Sequence, residues 1–205
     1  MESVNNINAK LLSSSIRGDL EGVVDALAQG GRVAMRNYQG YSPLLAAAQN
    51  GHPDICGILL AHGSDVNEVS PETKRTALHL AVARGHEAVV KVLLSWGAIV
   101  HPQDHGGGTP LHIACQEGRL ACVLALLKAG SSVFMESNDG ALLIQIAASH
   151  NRVEILRALL DYGFSSDMVS CHENTSTTTI MASFLLSAGQ SVKDHTTDVC
   201  SSRSS

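Results

Sequence analysis

The sequence predicts an all-α protein built from stacked helical repeats, and three observations lead to that prediction. First, 44% of the 205 residues are hydrophobic, mostly Ala, Leu and Val, and only 3% are aromatic, which suits closely packed helices better than a sheet sandwich. Second, glycines recur with a period near 33 residues. Third, a short motif recurs with the same period. Together they indicate one supersecondary unit repeated along the chain.

Two glycine series set the period. The first follows an apolar pair and two linking residues at spacings of 33, 34, 33 and 33, and its members are Gly30, Gly63, Gly97, Gly130 and Gly163. The second lies twelve residues upstream and comprises Gly18, Gly51, Gly85 and Gly118. Asn151 takes the fifth place in this second series. Asn is the next-best residue for a left-handed helix end, so we expect Asn151 to keep the backbone role of the glycines.

The recurring motif reads SPLLAAAQNGH from Ser42, TALHLAVARGH from Thr76 and TPLHIACQEGR from Thr109. The first unit keeps only AKLLSSSIRGD, and the fifth keeps LLIQIAASHNR. A Thr-Pro-Leu-His-x-Ala motif, then Gly-His, then Leu-Leu-x-x-Gly, resembles the ankyrin repeat over roughly residues 8 to 166. The resemblance implies an ankyrin-repeat solenoid of stacked helix-turn-helix units joined by β-turn fingers.

The sequence also predicts how the chain is divided. Residues 1–166 form the repeat domain, and its five units span about 8–34, 35–67, 68–101, 102–134 and 135–166. The tail, 167–205, is Ser/Thr-rich and poor in apolar residues, so we expect it to be mostly disordered. A short helix is expected at 179–188. A truncated sixth unit, a fused foreign tail and chance similarity all remain open for this segment, and a single helix is favoured.

Local chemistry explains the start of each unit. The hydroxyls of Thr76 and Thr109 can cap a helix, and Pro110 falls in the first turn, where a missing N–H costs nothing. The ankyrin resemblance implies that His79 and His112 donate hydrogen bonds to neighbouring backbone and tie adjacent units together. Small residues recur where neighbouring helices must approach closely, namely at Ser14, Ala47, Ala81, Ala114 and Ala147.

The two ends of the array depart from this pattern. The first unit carries Ser13, Ser14 and Ser15 where inner units have mostly Ala, a polarity typical of a terminal cap. The fifth unit has lost Thr, Pro and His, with Leu142, Leu143 and Gln145 in their places. We expect it to be the least stable full unit, because the cap and the tying hydrogen bond are missing.

No catalytic or metal motif emerges from the sequence. His101 and His105 are four residues apart, but Pro102 and a Gly run place them in a finger. We therefore expect no enzyme activity, no cofactor and no metal. Net charge is −5 and the basic residues are scattered, which argues against nucleic acid or a membrane as the partner. Five cysteines without close pairing and a first segment without signal features favour a reduced, cytoplasmic protein, with the nucleus also open. We expect a monomer.

The ankyrin resemblance implies a non-catalytic protein-protein interaction module or adaptor. Its partner, one or more proteins, is expected on the finger tips and the concave helix face. The candidate partner-binding residues are Arg36, Tyr38, Gln39, Tyr41, Gln49, Asn50, Arg84, Gln103, His105, Gln116, Glu117, Asn138 and His150. Two alternatives stay open. One is a substrate-recognition subunit of a ubiquitin ligase, in a truncated isoform without a SOCS box. The other is the regulatory part of a longer enzyme.

Asn67 is the candidate modification site. It ends the stretch LLAHGSDVN at the start of a finger, which resembles the ankyrin context of asparaginyl hydroxylation. The equivalent positions hold Ala34, His101 and Phe134, none of which can substitute. The alternative is that Asn67 only orders the turn.

Overall fold

The computed structural model describes residues 2–138 and 140–165. The helices in this part of the chain follow one another in pairs. The ten helices are α1 Glu2–Arg17, α2 Leu20–Ala28, α3 Pro43–Asn50, α4 Pro53–Ala61, α5 Ala77–Arg84, α6 Glu87–Ser95, α7 Pro110–Glu117, α8 Leu120–Lys128, α9 Leu143–Ser149 and α10 Val153–Ser165. Within the described residues β structure is limited to isolated bridges, Val69 with Thr76 and Glu136 with Leu142. The all-α solenoid prediction is confirmed.

The helices form two layers. The first helices of successive units pack on one another from α1 through α3, α5 and α7 to α9, and the second helices from α2 through α4, α6 and α8 to α10. Each helix also packs on its partner within the unit. A buried apolar layer therefore runs the length of the stack, and each unit depends on its neighbours to cover its faces.

Hydroxyl groups begin the inner helices, at the predicted Thr76 and also at Ser42, while the Thr109 hydroxyl lies 2.8 Å from His112 Nδ1. Ser42 and Thr76 are extended, and their hydroxyls accept hydrogen bonds from the N–H groups of Leu45 (3.1 Å) and His79 (3.4 Å). Pro110 occupies the first turn of α7, as expected. The Ser42 and Thr76 hydroxyls each satisfy one of the N–H groups that a helix start leaves without an intrahelical partner.

The glycine that ends each first helix has two functions. Gly51 is left-handed with φ +82°, and Asn151 keeps that conformation with φ +53°, as predicted. In addition, a Cβ on Gly51 would lie 2.6 Å from the His86 ring. That ring crosses Gly51 because its Nε2 lies 3.2 Å from the carbonyl oxygen of Gln49 at the end of α3. The same contact recurs elsewhere, because His52 Nε2 lies 3.1 Å from the Ile16 carbonyl oxygen and Arg152 Nη2 donates to the Gln116 carbonyl at 3.3 Å. The carbonyl groups at a helix end lack intrahelical partners.

The small residues of the first helices pack as predicted, and Ala47, Ala81, Ala114 and Ala147 are fully buried. Ser14 and Ser15 are fully buried too, so their polarity does not reflect a solvated cap. Their hydroxyls find partners locally, since Ser14 Oγ donates to Asp19 Oδ2 at 3.2 Å and Ser15 Oγ donates to the Leu11 carbonyl at 2.8 Å.

Helix α10 is the last element that the structure describes. Gly163 lies inside α10, which continues to Ser165. The expected tail 167–205 and its short helix at 179–188 lie outside the described residues, and the unit boundaries stay predictions. None of the described helices has the length and hydropathy needed to cross a membrane.

Candidate functional site

A groove of about 490 Å³ opens between the first three units. Helix α1 contributes Ile16, the first finger and α3 contribute most of the walls, and the second finger contributes Glu72. The groove is lined by Ile16, Asn37, Gln39, Tyr41, Ala46, Gln49, Asn50 and Glu72. Four of the thirteen predicted partner-binding residues therefore meet in one place, namely Gln39, Tyr41, Gln49 and Asn50.

Asn37 builds the first finger. Its Oδ1 accepts hydrogen bonds from the backbone N–H groups of Gln39 (3.0 Å) and Tyr41 (2.9 Å). Its own N–H donates to the Tyr41 carbonyl at 3.0 Å. Gly40 completes the turn with φ +76°, and Pro71 of the second finger packs where a Gly40 side chain would lie. This turn fixes the Gln39 and Tyr41 backbones at the edge of the groove.

The amide side chains of the groove keep unused hydrogen-bonding groups. Asn50 Nδ2 donates to the Ala46 carbonyl at 2.8 Å, and its Oδ1 has no partner among residues 2–138 and 140–165. The side chains of Gln39 and Gln49 have no hydrogen-bond partner among the described residues. The groove wall can therefore both donate and accept.

Charge in the groove is concentrated at Glu72. This exposed carboxylate has no ion-pair or hydrogen-bond partner in the described parts of the chain. In contrast, Glu68 accepts from the Ser42 hydroxyl and pairs with Arg36 at 3.3 Å. Burial raises the pKa of the Glu68 carboxyl, while Ser42 and Arg36 act in the opposite direction.

The guanidinium of Arg36, a predicted partner-binding residue, joins two fingers, and its contact with a partner stays a prediction. Nη1 donates to the carbonyl groups of Gly40 at 2.8 Å and Val69 at 3.0 Å, and Nη2 pairs with Glu68. The next pair of fingers is joined in the same way, because Arg75 Nε lies 3.1 Å from Asp104 Oδ2.

The remaining predicted residues are spread along the surface. Tyr38 is 94% exposed at the first finger tip. The exposed residues elsewhere are Arg84, Gln103, His105, Gln116, Glu117, Asn138 and His150. Asn138 packs so close to Gly107 that a Cβ there would lie 2.2 Å from its Cγ. Asp139, at the same finger tip, lies outside the described residues.

Asn67 has a clear structural role. Its Oδ1 accepts a hydrogen bond from the Ile99 N–H at 2.8 Å, and its own N–H donates to Asp65 Oδ1 at 2.9 Å. The side chain thus joins the turn of one unit to the backbone of the next. Hydroxylation of Asn67 stays a prediction.

His79 ties two units together through a defined tautomer. The Thr76 N–H donates to Nδ1 at 3.2 Å, so the ring proton is on Nε2, which donates to the Gly108 carbonyl at 3.1 Å. Burial lowers the pKa of His79, so the neutral ring is favoured. His112 makes the same contact with Thr109, but its Nε2 has no hydrogen-bond partner among the described residues.

Reactive groups are not assembled in the described chain. No group of three His, Cys, Asp or Glu residues there could hold a metal ion. Burial raises the pKa of the Cys56 and Cys115 thiols to about 12 and that of Cys122 to about 11. Because the thiolate is the nucleophile, these cysteines are packing residues.

Sequence reasoning missed Ile16, Asn37, Ala46 and Glu72 as members of the groove. The Asn-x-x-Gly stretch at Asn37 carries a turn signal that could have assigned its role. Glu72 lies in the second finger, where one extra residue and Lys74 in place of Gly disturb the alignment. Lys74 nevertheless adopts the left-handed conformation, with φ +54°.

Comparisons with known proteins agree with the architecture. The family model described as ankyrin repeats (3 copies) matches residues 11–104, 65–137 and 97–170. The chain is 37% identical over 106 residues to the Ankyrin repeat and KH domain-containing protein mask-1 of Caenorhabditis elegans, covering 51% of this chain and 4% of that protein.

Two other relatives are also matched over only part of their length. Protein HOS4 of Saccharomyces cerevisiae is 37% identical over 100 residues, which is 49% of this chain and 9% of that protein. The NF-kappa-B inhibitor cactus of Drosophila melanogaster is 40% identical over 60 residues, which is 29% of this chain and 12% of that protein. The chain thus spans a small part of each relative.

Proposed function

Because the chain belongs to the ankyrin repeat family, we propose that it is a non-catalytic adaptor module that binds one or more proteins through the groove between its first three units. Function has to be argued from a site, since one fold serves many functions. The side-chain amides of Gln39 and Gln49 have no hydrogen-bond partner among the described residues, whereas finger residues such as Arg36 and Glu68 are paired with each other.

The observation that carries the proposal is the unsatisfied polar lining. Gln39 and Gln49 keep complete side-chain amides, and Asn50 keeps its carbonyl oxygen. Polar groups of this kind, on a rigid scaffold and around a concave surface, give a binding site its specificity. The scaffold is rigid here because Asn37 fixes the finger and capped helices hold the walls.

The test compares partner capture by the wild type and by the double variant Gln39→Ala/Gln49→Ala. Neither side chain has a hydrogen bond within the described part of the chain, so the melting curve should not change. Proteins retained from a lysate and measured by quantitative mass spectrometry should be lost from the double variant. Lys128→Ala, at an exposed position at the end of α8 and outside the candidate partner-binding residues, is the control and should retain them. Equal capture by both variants and the wild type would contradict groove binding.

A second candidate is the regulatory part of a longer enzyme. The chain is 31% identical over 102 residues to human Diacylglycerol kinase iota, which is 49% of this chain but 10% of that enzyme. A chain of this kind would act on an enzyme through the same groove. Recovery of a kinase domain in the wild-type capture and its loss from the double variant would favour this candidate.

We further propose that the module acts as a monomer in the cytoplasm or the nucleus. Support for a reducing compartment comes from the free, buried Cys56, Cys115 and Cys122. Size-exclusion chromatography with light scattering tests the oligomeric state, and a dimer mass would contradict it.

A further inference from the structure

We propose that the groove takes an extended peptide segment of the partner, and that Glu72 selects a segment carrying an Arg or Lys side chain. This inference rests on the proposed function, since it specifies the chemistry of the partner at the same groove. Three features of the groove support it. They are the hydrogen-bonding groups that stay free, the carboxylate of Glu72, and the apolar side chains that line the same groove.

The free groups match an unpaired peptide backbone. Asn37 Oδ1 is occupied by two backbone N–H groups, so only its Nδ2 donors remain available. Asn50 has the opposite arrangement, because its Nδ2 is occupied and only Oδ1 remains to accept. Gln39 and Gln49 add groups of both kinds. An extended segment presents N–H and C=O groups along its length and can bond to both kinds.

A helical partner fits this lining less well. An α-helix satisfies its own N–H and C=O groups except at its ends. Helices bind grooves through an apolar face, but five of the eight groove residues are Asn, Gln or Glu. A helix lying in the groove would leave these polar groups desolvated without partners, at a cost in binding free energy.

The charge of the groove selects a cation. Glu72 is the single charged residue among the eight that line the groove, and no described residue neutralises it. Two finger cations are already paired, since Arg36 is held by Glu68 and two carbonyl groups and Arg75 by Asp104. A carboxylate only accepts hydrogen bonds, so an Arg or Lys side chain is its natural partner.

The groove also accommodates the apolar stem of such a side chain. Ile16 is 43% exposed at the end of α1, and it lines the groove together with Ala46 and Tyr41. Arg and Lys place their methylene groups along apolar surface while the charged end reaches a polar group. One side chain can therefore use both the Ile16 surface and the Glu72 carboxylate.

The experiment uses a display library of random linear peptides selected on the intact protein. Peptides selected by the wild type should be enriched in Arg or Lys, and alanine scanning should identify one required basic position. Binding of the selected peptide should weaken at least tenfold for Glu72→Gln, which corresponds to about 1.4 kcal/mol. Glu72→Lys should prefer the same peptide with its basic residue replaced by Glu. Glu154→Gln, an exposed acid in the first turn of α10 that belongs neither to the groove nor to the candidate partner-binding residues, is the control and should bind like the wild type.

The outcomes distinguish a failure of the inference about charge from a failure of groove binding itself. If Glu72→Gln and Glu72→Lys bind the selected peptide as tightly as the wild type, the inference about charge is overturned. If Gln39→Ala/Gln49→Ala still abolishes peptide binding in that case, the groove remains the binding site and the proposed function stands. If the selected peptides ignore all of these substitutions, both proposals fail. Glu72 is exposed and unpaired, so unchanged melting curves will show that each variant is folded.

Discussion

At the scale of single residues, the molecule depends on side chains that join one unit to the next. Asn67 bonds to the Ile99 N–H, Arg36 to the Val69 carbonyl, and His79 to the Gly108 carbonyl. Each contact satisfies a backbone group that the unit cannot satisfy alone. A change at one of these residues should therefore affect the coupling between units more than the unit itself.

His79 should make stability depend on pH. Because burial lowers its folded pKa, the unfolded chain binds a proton first as the pH falls below about 6.5. The contribution of neutral His79 to the free energy of unfolding is therefore complete above that pH and is lost as the pH falls towards the folded pKa of the ring. Asp104 favours the charged ring and Arg75 opposes it. Glu68 has a raised pKa and acts with the opposite sign, so the measurement must compare variants.

Urea unfolding between about pH 7 and 5 should show a flatter pH dependence for His79→Gln than for the wild type. Gln keeps a donor for Gly108 and does not titrate in this range. For a single group the difference in slope cannot exceed about 1.4 kcal/mol per pH unit. Parallel curves would show that His79 takes up its proton equally in the folded and unfolded states.

Asn67 remains the predicted site of hydroxylation. Peptides covering residues 61–75 from protein made in oxygenated cells should carry one added oxygen at Asn67. The unmodified Oδ1 already accepts from Ile99, so Asn67→Ala should also cost about 0.5–1.5 kcal/mol of stability. Fragmentation spectra that show only unmodified Asn67 would count against the modification, without affecting the stability prediction.

At the scale of elements, the first helix of each unit depends on how it begins. Inner helices start at Ser42, Thr76 or Thr109, whereas α9 starts after Leu142, which has no hydroxyl. At the start of α5 the Thr76 hydroxyl accepts from the His79 N–H, and the Thr76 N–H donates to the His79 side chain. In α9 only the second of these bonds has an equivalent, since the Leu142 N–H donates to Gln145 Oε1 at 3.1 Å.

Leu142→Thr should therefore stabilise the protein. A Thr hydroxyl at this position can accept from an N–H of the first turn of α9, which is worth about 1 kcal/mol. Leu142→Val, which is branched at Cβ but has no hydroxyl, is the matched control. Thermal melts should place the Thr variant above both the wild type and the Val variant. An equal melting temperature for Thr and Val would assign any effect to side-chain shape.

At the scale of the whole molecule, stability comes from stacking. The fully buried Ala114 lies in α7, which packs on both α5 and α9. Ala114→Leu should overpack these interfaces and cost about 1–3 kcal/mol. Ala129→Leu, at an exposed position after α8, should change stability by no more than about 0.5 kcal/mol. Chemical unfolding of the two variants provides the comparison, and equal losses would refute close inter-unit packing at Ala114.

Hydrogen exchange should reveal a gradient along the stack. Amides of α9 and α10 should exchange faster than those of α5, because α9 lacks a hydroxyl cap and His112 Nε2 lacks a described partner. In a repeat array, local stability is a sum of unit and neighbour terms, so a weak unit opens separately. Uniform protection from α5 to α10, measured by mass spectrometry, would show instead that the array unfolds as one unit.

The sequence by itself determined the repeat, the helix order and the backbone of each unit. The cap at Thr76, the left-handed Gly51 and the substitute Asn151 all follow from local rules of chain conformation, so residue type and spacing were sufficient. The family resemblance further indicated that His79 would bond to a neighbouring unit. These features depend on interactions that recur at a fixed spacing in the chain.

Only the tertiary structure decided which polar groups are left for a partner. Arg36 and Glu72 both belong to fingers and are equally polar in the sequence, but Arg36 is held by Glu68, thirty-two residues away, while Glu72 lines the groove and has no partner in the part of the chain that the structure describes. Likewise, Ser14 and Ser15 are buried although their polarity suggested exposure. The physical reason is that pairing depends on how neighbouring fingers and helices meet. Two residues in similar positions of the repeat can therefore have opposite environments.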